Sequence, residues 1–155
     1  MTLNIRQAQA ANFMLIRYML FWFLLAIVAT LNGVLRETTY GHFLSELAAH
    51  QISTGTGILF TGLLVWKLNQ RWPIESSKQA WRIGLIWLLA TIAFEFGFGH
   101  YIAGHTWGKL LADYQLLDGR IWLLFLIWIA VMPYVFYRLD SHRTINHRNA
   151  SSNGG

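Results

Sequence analysis

Charged residues are missing from four long stretches of this chain. The stretches cover residues 18–35, 51–66, 83–108 and 121–137, and together they contain no Lys, Arg or Asp and a single acid, Glu95. A helix needs about 20 mostly apolar residues to cross about 30 Å of hydrocarbon. The pattern therefore predicts four membrane-spanning helices.

The predicted fold class is all-α, a bundle of four transmembrane helices. Helices fit because each membrane span must satisfy its own backbone polar groups, and the continuous apolar runs lack the alternation of a transmembrane β-strand. We expect a cytoplasmic N-terminal segment at 1–12 and a four-span membrane domain at 13–140. Residues 141–155 are predicted to be a disordered cytoplasmic tail, because their end is rich in Asn, Ser and Gly.

Composition agrees with a membrane location. The chain is 55% hydrophobic and only 12% charged, whereas a soluble domain is about 25% charged. The net charge of +5 does not predict a nucleic-acid partner, because the basic residues cluster at the ends of the spans. The chain has no Cys, which excludes disulfides and thiolate metal sites. The expected partners are membrane lipids and either a second copy of the chain or a larger membrane complex.

The distribution of basic residues predicts the orientation, because Lys and Arg accumulate on the cytoplasmic side of a membrane. One set of span ends holds many of them: Arg6, Arg17, Lys67, Arg71, Lys78, Arg82, Arg138, Arg143 and Arg148. The other set of span ends holds only Arg36, Lys109 and Arg120. We therefore expect both termini and the 67–82 loop inside, and the loops at 36–50 and 105–120 outside.

The two predicted outer loops resemble each other. Gly41-His42 in the first loop and Gly104-His105 in the second are 63 residues apart, and each pair precedes similarly spaced Leu, Ala, Gln and Gly residues. This internal similarity favours two tandem helical hairpins related by duplication, with chance similarity as the alternative. The residue pattern of both loops also predicts short amphipathic helices at the outer face. The alternative is that these residues simply extend the adjoining spans.

Most ionisable groups that topology does not explain fall at the predicted outer end. They are Arg36, Glu37, His42, Glu46, His50, Glu95, His100, His105, Lys109, Asp113, Asp118 and Arg120. Of these, Asp113, Asp118 and Arg120 belong to the second outer loop, where they form an outer-face polar group. Any chemistry of this chain is therefore expected at its outer end.

Glu95 is the most informative residue of this group. Counting from Arg82 at about 1.5 Å per residue places it roughly 20 Å into the membrane, where a carboxylate costs a few kcal/mol. Gly84 and Gly99 share its helical face, and small residues mark helix contacts in membranes. Trp87 falls on the other face and is expected, with Phe94 and Tyr101, to point toward lipid.

The expected partners of Glu95 are Arg36 and Asn32, near the outer end of the first span. With Glu37 they form a predicted intramembrane polar cluster. One interpretation is functional, because intramembrane acids often serve as proton or ion relays or bind ligands. The other is structural, a buried ion pair between Glu95 and Arg36 that fixes the helix register.

His42, Glu46 and His50 follow one another at i, i+4 and i+8. Neighbouring pairs could share a metal, but His42 and His50 would lie about 12 Å apart along a helix axis. A complete zinc or iron site would need further ligands such as His100 or His105. Haem ligation by His50 and His100 is a second option. The spacing demands neither, and an interfacial helix with solvated polar residues is the favoured interpretation, so no cofactor is predicted.

Three parts of the chain carry a resemblance to known proteins. The segment 32–37, the run 49–53 and the block FEFGFGHYIAGHTWGKLLADYQLLDGRIW at 94–122 resemble a family of small four-helix bacterial inner-membrane proteins with no assigned activity. The resemblance covers about residues 13–138. It implies a bacterial inner-membrane location and implies no mechanism.

Several functions fit these observations. The favoured hypothesis is a non-enzymatic accessory or assembly component, because the chain is small and lacks a recognised catalytic signature. The alternatives are a transporter or channel that uses Glu95 as its coupling acid, and a redox membrane protein that binds a metal or haem through the His and Glu residues. A lipid-modifying enzyme is a weaker option, since no Ser or Cys nucleophile stands at a recognised spacing.

Overall fold

The computed structural model describes the backbone of residues 2–152 and the side chains of residues 13–141. Its helices are α1 (Thr2–Thr38), α2 (Glu46–Arg71), α3 (Ser77–Tyr101), α4 (Trp107–Ala112) and α5 (Trp122–Ser152), with short 3-10 turns at Tyr40–His42 and Leu116–Asp118. The fold is 84% helical, with no strand in the part of the chain that the structure describes. The predicted all-α class is confirmed.

Three helices are long and apolar enough to cross a membrane. They are Phe13–Thr38 within α1, Ser77–Tyr101, which is α3, and Trp122–Ser141 within α5. These three spans match predicted ones and support a membrane location. The fourth predicted stretch, at 51–66, forms the centre of α2, whose Ser, Thr and Asn residues lower its mean hydropathy.

Polar residues and glycines set the helix boundaries. Ser45, Ser76 and Thr106 precede α2, α3 and α4, and each side-chain oxygen accepts a hydrogen bond from the backbone N–H three residues later, the usual N-cap arrangement. Beyond α3, Gly104 adopts a φ of +70°, and Gly119 adopts a φ of +79° before α5. Glycine suits both positions because other residues rarely adopt a positive φ.

Neighbouring long helices run in opposite directions. In the first half of α1, the Tyr18 hydroxyl donates to the carbonyl of Trp72 just after α2, at 2.9 Å. At the other end, Arg36 of α1 contacts His50 near the start of α2. Glu95, late in α3, contacts the first residue of α5. We call the end that carries Arg36, His50 and Glu95 the polar end.

The closest helix packing is between α3 and α5. A Cβ built on Gly84 would lie 1.9 Å from the carbonyl oxygen of Ala130, so the two backbones touch directly. The expected contact face of α3 is thus correct for Gly84. The orientation expected for Trp87 is wrong: its side chain is fully buried, and its indole N–H donates to the carbonyl of Tyr18 at 3.0 Å. Because α3 packs on both α1 and α5, it buries two faces.

A hydrogen-bonded cluster that the sequence did not suggest joins the helices at the opposite end. The Asn69 side-chain oxygen accepts from the backbone N–H of Ile74 at 3.1 Å and from the Tyr18 hydroxyl at 3.4 Å. Its amide nitrogen donates to Asp140 on α5. Asn69 is almost fully buried, and it therefore ties α1, α5 and the turn after α2 together.

The chain ends and the outer loops differ in part from expectation. The backbone of α5 continues to Ser152, so the tail predicted to be disordered is helical over 141–152, where no Gly or Pro interrupts the helix. Residues 153–155 of that tail lie outside the described residues. In the second predicted outer loop, residues 107–112 form the separate helix α4, whereas residues 46–50 of the first predicted outer loop form the beginning of α2.

Candidate functional site

Glu95 is held by two hydrogen-bond donors that lie far away in sequence. Its Oε2 accepts from the Tyr114 hydroxyl at 2.6 Å and from the Trp122 indole N–H at 2.9 Å. Tyr114 lies in the loop after α4, and Trp122 is the first residue of α5. Among the described side chains, no cation lies within ion-pair distance of Glu95. Glu95 is therefore an anchored carboxylate that no cation neutralises.

Small residues and aromatic stacking position the loop above Glu95. A Cβ on Gly99 would lie 2.8 Å from the Leu110 side chain, so the absence of a side chain lets α4 pack onto α3. The Tyr114 ring stacks on Phe96, with ring centroids 5.8 Å apart. Burial first, and then the hydrogen bond to Glu95, raises the pKa of Tyr114 above its ordinary value. Tyr114 therefore remains a neutral donor to the carboxylate.

The expected ion pair between Glu95 and Arg36 is wrong. Asn32 instead donates to the carbonyl of Ser53 at 2.6 Å and accepts from the Thr56 hydroxyl at 3.0 Å. Arg36 makes its contacts with His50 on α2 and with its neighbour Glu37. The physical reason is the rotation of α1, which turns this face of the helix toward α2.

The contact between Arg36 and His50 defines the state of the imidazole. Arg36 Nη1 lies 3.3 Å from His50 Nδ1, and a guanidinium can only donate. Nδ1 is therefore the acceptor, and the neutral ring carries its hydrogen on Nε2. His50 is only 6% exposed, and its buried Nε2 has no hydrogen-bond partner among the described side chains. A buried donor without a partner is costly, so this N–H is available to a ligand.

A second group of charges surrounds Arg120. This side chain contacts Asp113 at 2.6 Å and Glu46, at the start of α2, at 2.9 Å. The hydrogen bond from Arg120 holds the pKa of Glu46 below its ordinary value. The expected outer-face polar group thus comes together through Asp113 and Arg120. Asp118 lies in the 3-10 turn at Leu116–Asp118 and takes part in none of these ion pairs.

The candidate metal ligands do not form one site. His42, Glu46 and His50 line a common cavity of about 390 Å³ at the polar end. His100 instead stacks on the Trp107 ring at 3.9 Å, and its Nδ1 contacts the carbonyl of His105 at 2.9 Å. Within the described residues, no three His, Asp or Glu side chains are grouped as a metal ion requires.

Two further cavities meet at Glu95. One, which we call the polar cavity, has a volume of about 360 Å³. Its charged and imidazole side chains are Arg36, Glu37, His50, Glu95, His105 and Asp113. The other, the central cavity, has a volume of about 170 Å³ and lies among α1, α2, α3 and α5. Both cavities are lined by Thr30, Glu95, Trp122 and Phe125. The Glu95 carboxylate therefore lies at the boundary between the polar cavity and the largely apolar central cavity.

Comparison of the chain with protein families, with curated proteins and with solved structures found no match.

Sequence reasoning identified Glu95, Arg36 and His50 but missed Tyr114 and Trp122 as partners of the acid. A weak signal was present, since Tyr114 lies on the apolar stripe of the second outer loop. Buried Tyr and Trp side chains usually bond a polar partner. Glu95, the single acid within the four apolar stretches, was therefore a candidate acceptor for both of them.

Proposed function

We propose that this chain is a non-enzymatic, multi-pass membrane protein that binds a ligand at Glu95, in the cavities at its polar end. One observation carries the proposal. Glu95 lines both the polar cavity and the central cavity, and its contacts are donors rather than a cation. An acid kept inside a membrane without an ion pair is costly, and binding a ligand is the function that explains its retention.

The proposal includes a fourth membrane span, formed by α2. The support is the inside-out pattern of this helix, whose buried face is largely polar or small: Ala49, His50, Ser53, Thr54, Gly57, Thr61, Gly62, Val65, Leu68 and Asn69. Its exposed face is apolar, with Ile52, Leu59, Phe60, Leu63 and Trp66. A helix in water would show the reverse pattern. Leu59 and Leu63 would face lipid.

We also propose a bacterial inner-membrane location with both termini in the cytoplasm. Basic residues at the end opposite the polar end support this orientation. Arg17 lies 5.0 Å from the Trp72 ring centroid and Arg71 lies 5.5 Å from it, as expected of anchors at a membrane surface. At the polar end, by contrast, Arg36 and Arg120 contact carboxylates.

A carbodiimide labelling experiment tests the proposed role of Glu95. Dicyclohexylcarbodiimide is apolar and reacts with protonated carboxyls in apolar cavities, giving a stable N-acylurea that mass spectrometry locates. We expect labelling at Glu95 and none in the Glu95→Gln variant. Glu75 is an exposed loop carboxylate and serves as the control, because a water-soluble carbodiimide should label it preferentially.

The result that contradicts the proposal is equally specific. If the apolar reagent leaves Glu95 unmodified at every pH down to about 4.3, where half of an ordinary Glu carboxyl is protonated, while the water-soluble reagent modifies Glu75, then Glu95 is sealed from ligands. In that case the acid has a structural role and the proposed function is wrong.

A transporter or channel is a second candidate, favoured by the position of the central cavity. That cavity continues from Glu95 to Leu25, Thr61 and Ile129, residues of α1, α2 and α5 further from the polar end. A pathway through it would make Glu95 the coupling acid. Protein reconstituted in liposomes should then dissipate a pH gradient, and Glu95→Gln should abolish the flux. A flux that Glu95→Gln leaves unchanged would exclude this candidate.

A further inference from the structure

We propose that the polar cavity and the central cavity together bind one amphiphile, a phospholipid whose head carries a phosphate and a primary ammonium. The inference rests on the proposed function, since it names the ligand of the Glu95 site. It depends on three observations: a pair of donors without a ligand, an excess of carboxylates in the same cavity, and an apolar cavity adjoining it.

The donors are on α1 and α2. The hydrogen of His50 lies on Nε2, because its Nδ1 already accepts from Arg36, and this buried Nε2–H has no partner within residues 13–141. Arg36 contacts one carboxylate, that of Glu37, at 3.3 Å, and Glu37 is largely exposed. A phosphate oxygen can accept from both an imidazole N–H and a guanidinium, and charge-assisted bonds of this kind are strong.

The carboxylates of the polar cavity exclude a purely anionic ligand. Glu37, Glu95 and Asp113 line this cavity with a single guanidinium, that of Arg36. Asp113 is paired with Arg120 and Glu37 with Arg36, which leaves Glu95 without a cation among the described side chains. A ligand that brings only negative charge would be repelled by Glu95. A zwitterion meets both requirements, because its ammonium can donate to Glu95 while its phosphate accepts from His50.

The central cavity has room for a short segment of an apolar chain, because its volume of about 170 Å³ resembles that of an apolar cavity that binds benzene. Apart from Glu95 and three Thr residues, Thr30, Thr61 and Thr91, its lining is Ala, Leu, Ile, Phe and Trp side chains. Glu95 and Trp122 line both cavities, so a head bound at Glu95 would have its tail at the entrance to this apolar space. A soluble zwitterion would fill the polar cavity alone.

Binding of defined lipids to the delipidated protein in detergent tests the inference. Native mass spectrometry would compare four probes: short-chain phosphatidylethanolamine, phosphatidylglycerol, phosphatidylcholine and glycerophosphoethanolamine. We expect phosphatidylethanolamine to bind one per chain and about tenfold or more tighter than the others. Phosphatidylglycerol lacks the ammonium, phosphatidylcholine cannot donate to Glu95, and glycerophosphoethanolamine lacks the tails.

Variants locate the site. His50→Ala and Glu95→Gln should each weaken phosphatidylethanolamine binding about tenfold, whereas His50→Gln, which keeps an N–H donor, should weaken it less. Arg138→Gln removes a positive charge from an exposed position at the opposite end and should have no effect. Helicity measured by circular dichroism identifies any variant that fails to fold, and His50→Gln then replaces His50→Ala as the test of the donor.

Three outcomes would overturn the inference. If phosphatidylglycerol binds as tightly as phosphatidylethanolamine, the ammonium does not contribute to binding. If glycerophosphoethanolamine binds as tightly, the ligand is a free solute rather than a lipid. If Arg138→Gln loses as much affinity as the site variants, the binding reflects unspecific electrostatics. Carbodiimide labelling distinguishes failure of the phospholipid assignment from failure of the proposed function. If Glu95 is labelled but phosphatidylethanolamine neither binds nor slows the labelling, the site remains and only its assigned ligand is wrong.

Discussion

Replacing Gly84 by Ala should separate the two most closely packed helices. The added Cβ would lie 1.9 Å from the carbonyl oxygen of Ala130 and 2.9 Å from its carbonyl carbon, whereas close C···O contacts between helices are about 3.3 Å. The backbones must therefore move apart by about 1.4 Å. No side chain can turn away, because the obstructing atom belongs to the backbone. Overpacking of this kind costs about 1–3 kcal/mol, and we expect about 3 kcal/mol here.

Gly97→Ala on the same helix is the matched control. Nothing lies within 4 Å of a Cβ built on Gly97, so the change should be neutral or stabilise the helix by up to about 1 kcal/mol. The assay is unfolding by sodium dodecyl sulfate in mixed micelles, followed by circular dichroism. The reasoning is refuted if Gly84→Ala unfolds at the same detergent fraction as the unmodified chain, or if Gly97→Ala is destabilised equally.

Two further predictions concern the polar end. Tyr114 has a raised pKa in the folded state, so its contribution to stability is complete below about pH 10, the pKa of an unfolded Tyr, and falls as the pH rises further. Spectrophotometric titration should show tyrosinate forming at lower pH in Glu95→Gln, and no such change would contradict the assigned hydrogen bond. Asp113→Asn should destabilise the fold more than Glu46→Gln in the same detergent assay, because the two carboxylates share Arg120 but their side chains are 27% and 79% exposed. We expect about 1–2 kcal/mol for Asp113 and under about 1 kcal/mol for Glu46; equal losses would refute this difference.

The predictable part of the fold was the part governed by the bilayer. Long runs without charge identify helices regardless of how they pack, and each long helix contains most of one run. The outer bounds were not predictable in this way, because α1 begins at Thr2 and α5 ends at Ser152, well beyond their runs. The orientation of Trp87 could not be read from a single helical wheel, because α3 packs on two long helices, α1 and α5, rather than on one. Asn69 was likewise missed, since its partners are 51 and 71 residues away.

The sequence was sufficient to predict the acid of the site, Glu95, but not the residues that donate hydrogen bonds to it. Glu95 was evident because a lone carboxylate in an apolar run is expensive. Its partners are Tyr114, in the loop after α4, and Trp122, the first residue of α5. The path of the chain between α3 and α5 depends on the positive φ at Gly104 and Gly119 and on the packing of Leu110 against Gly99. Side-chain periodicity carries no information about such a path. The prediction therefore paired Glu95 with Arg36, the basic residue at the end of an adjoining span, and this pairing is wrong.

The central claim is that a ligand-accessible cavity reaches Glu95 between membrane-spanning helices, and single cysteines test it directly. The chain contains no Cys, so each substitution is the only thiol present. Thr30 lines both cavities, whereas its neighbour Leu31 is 61% exposed on the outer surface of α1, where lipid would cover it. A charged, membrane-impermeant thiol reagent applied to protein in liposomes should modify Thr30→Cys many times faster than Leu31→Cys. Equal rates at the two positions, or faster modification of Leu31→Cys, would contradict the account.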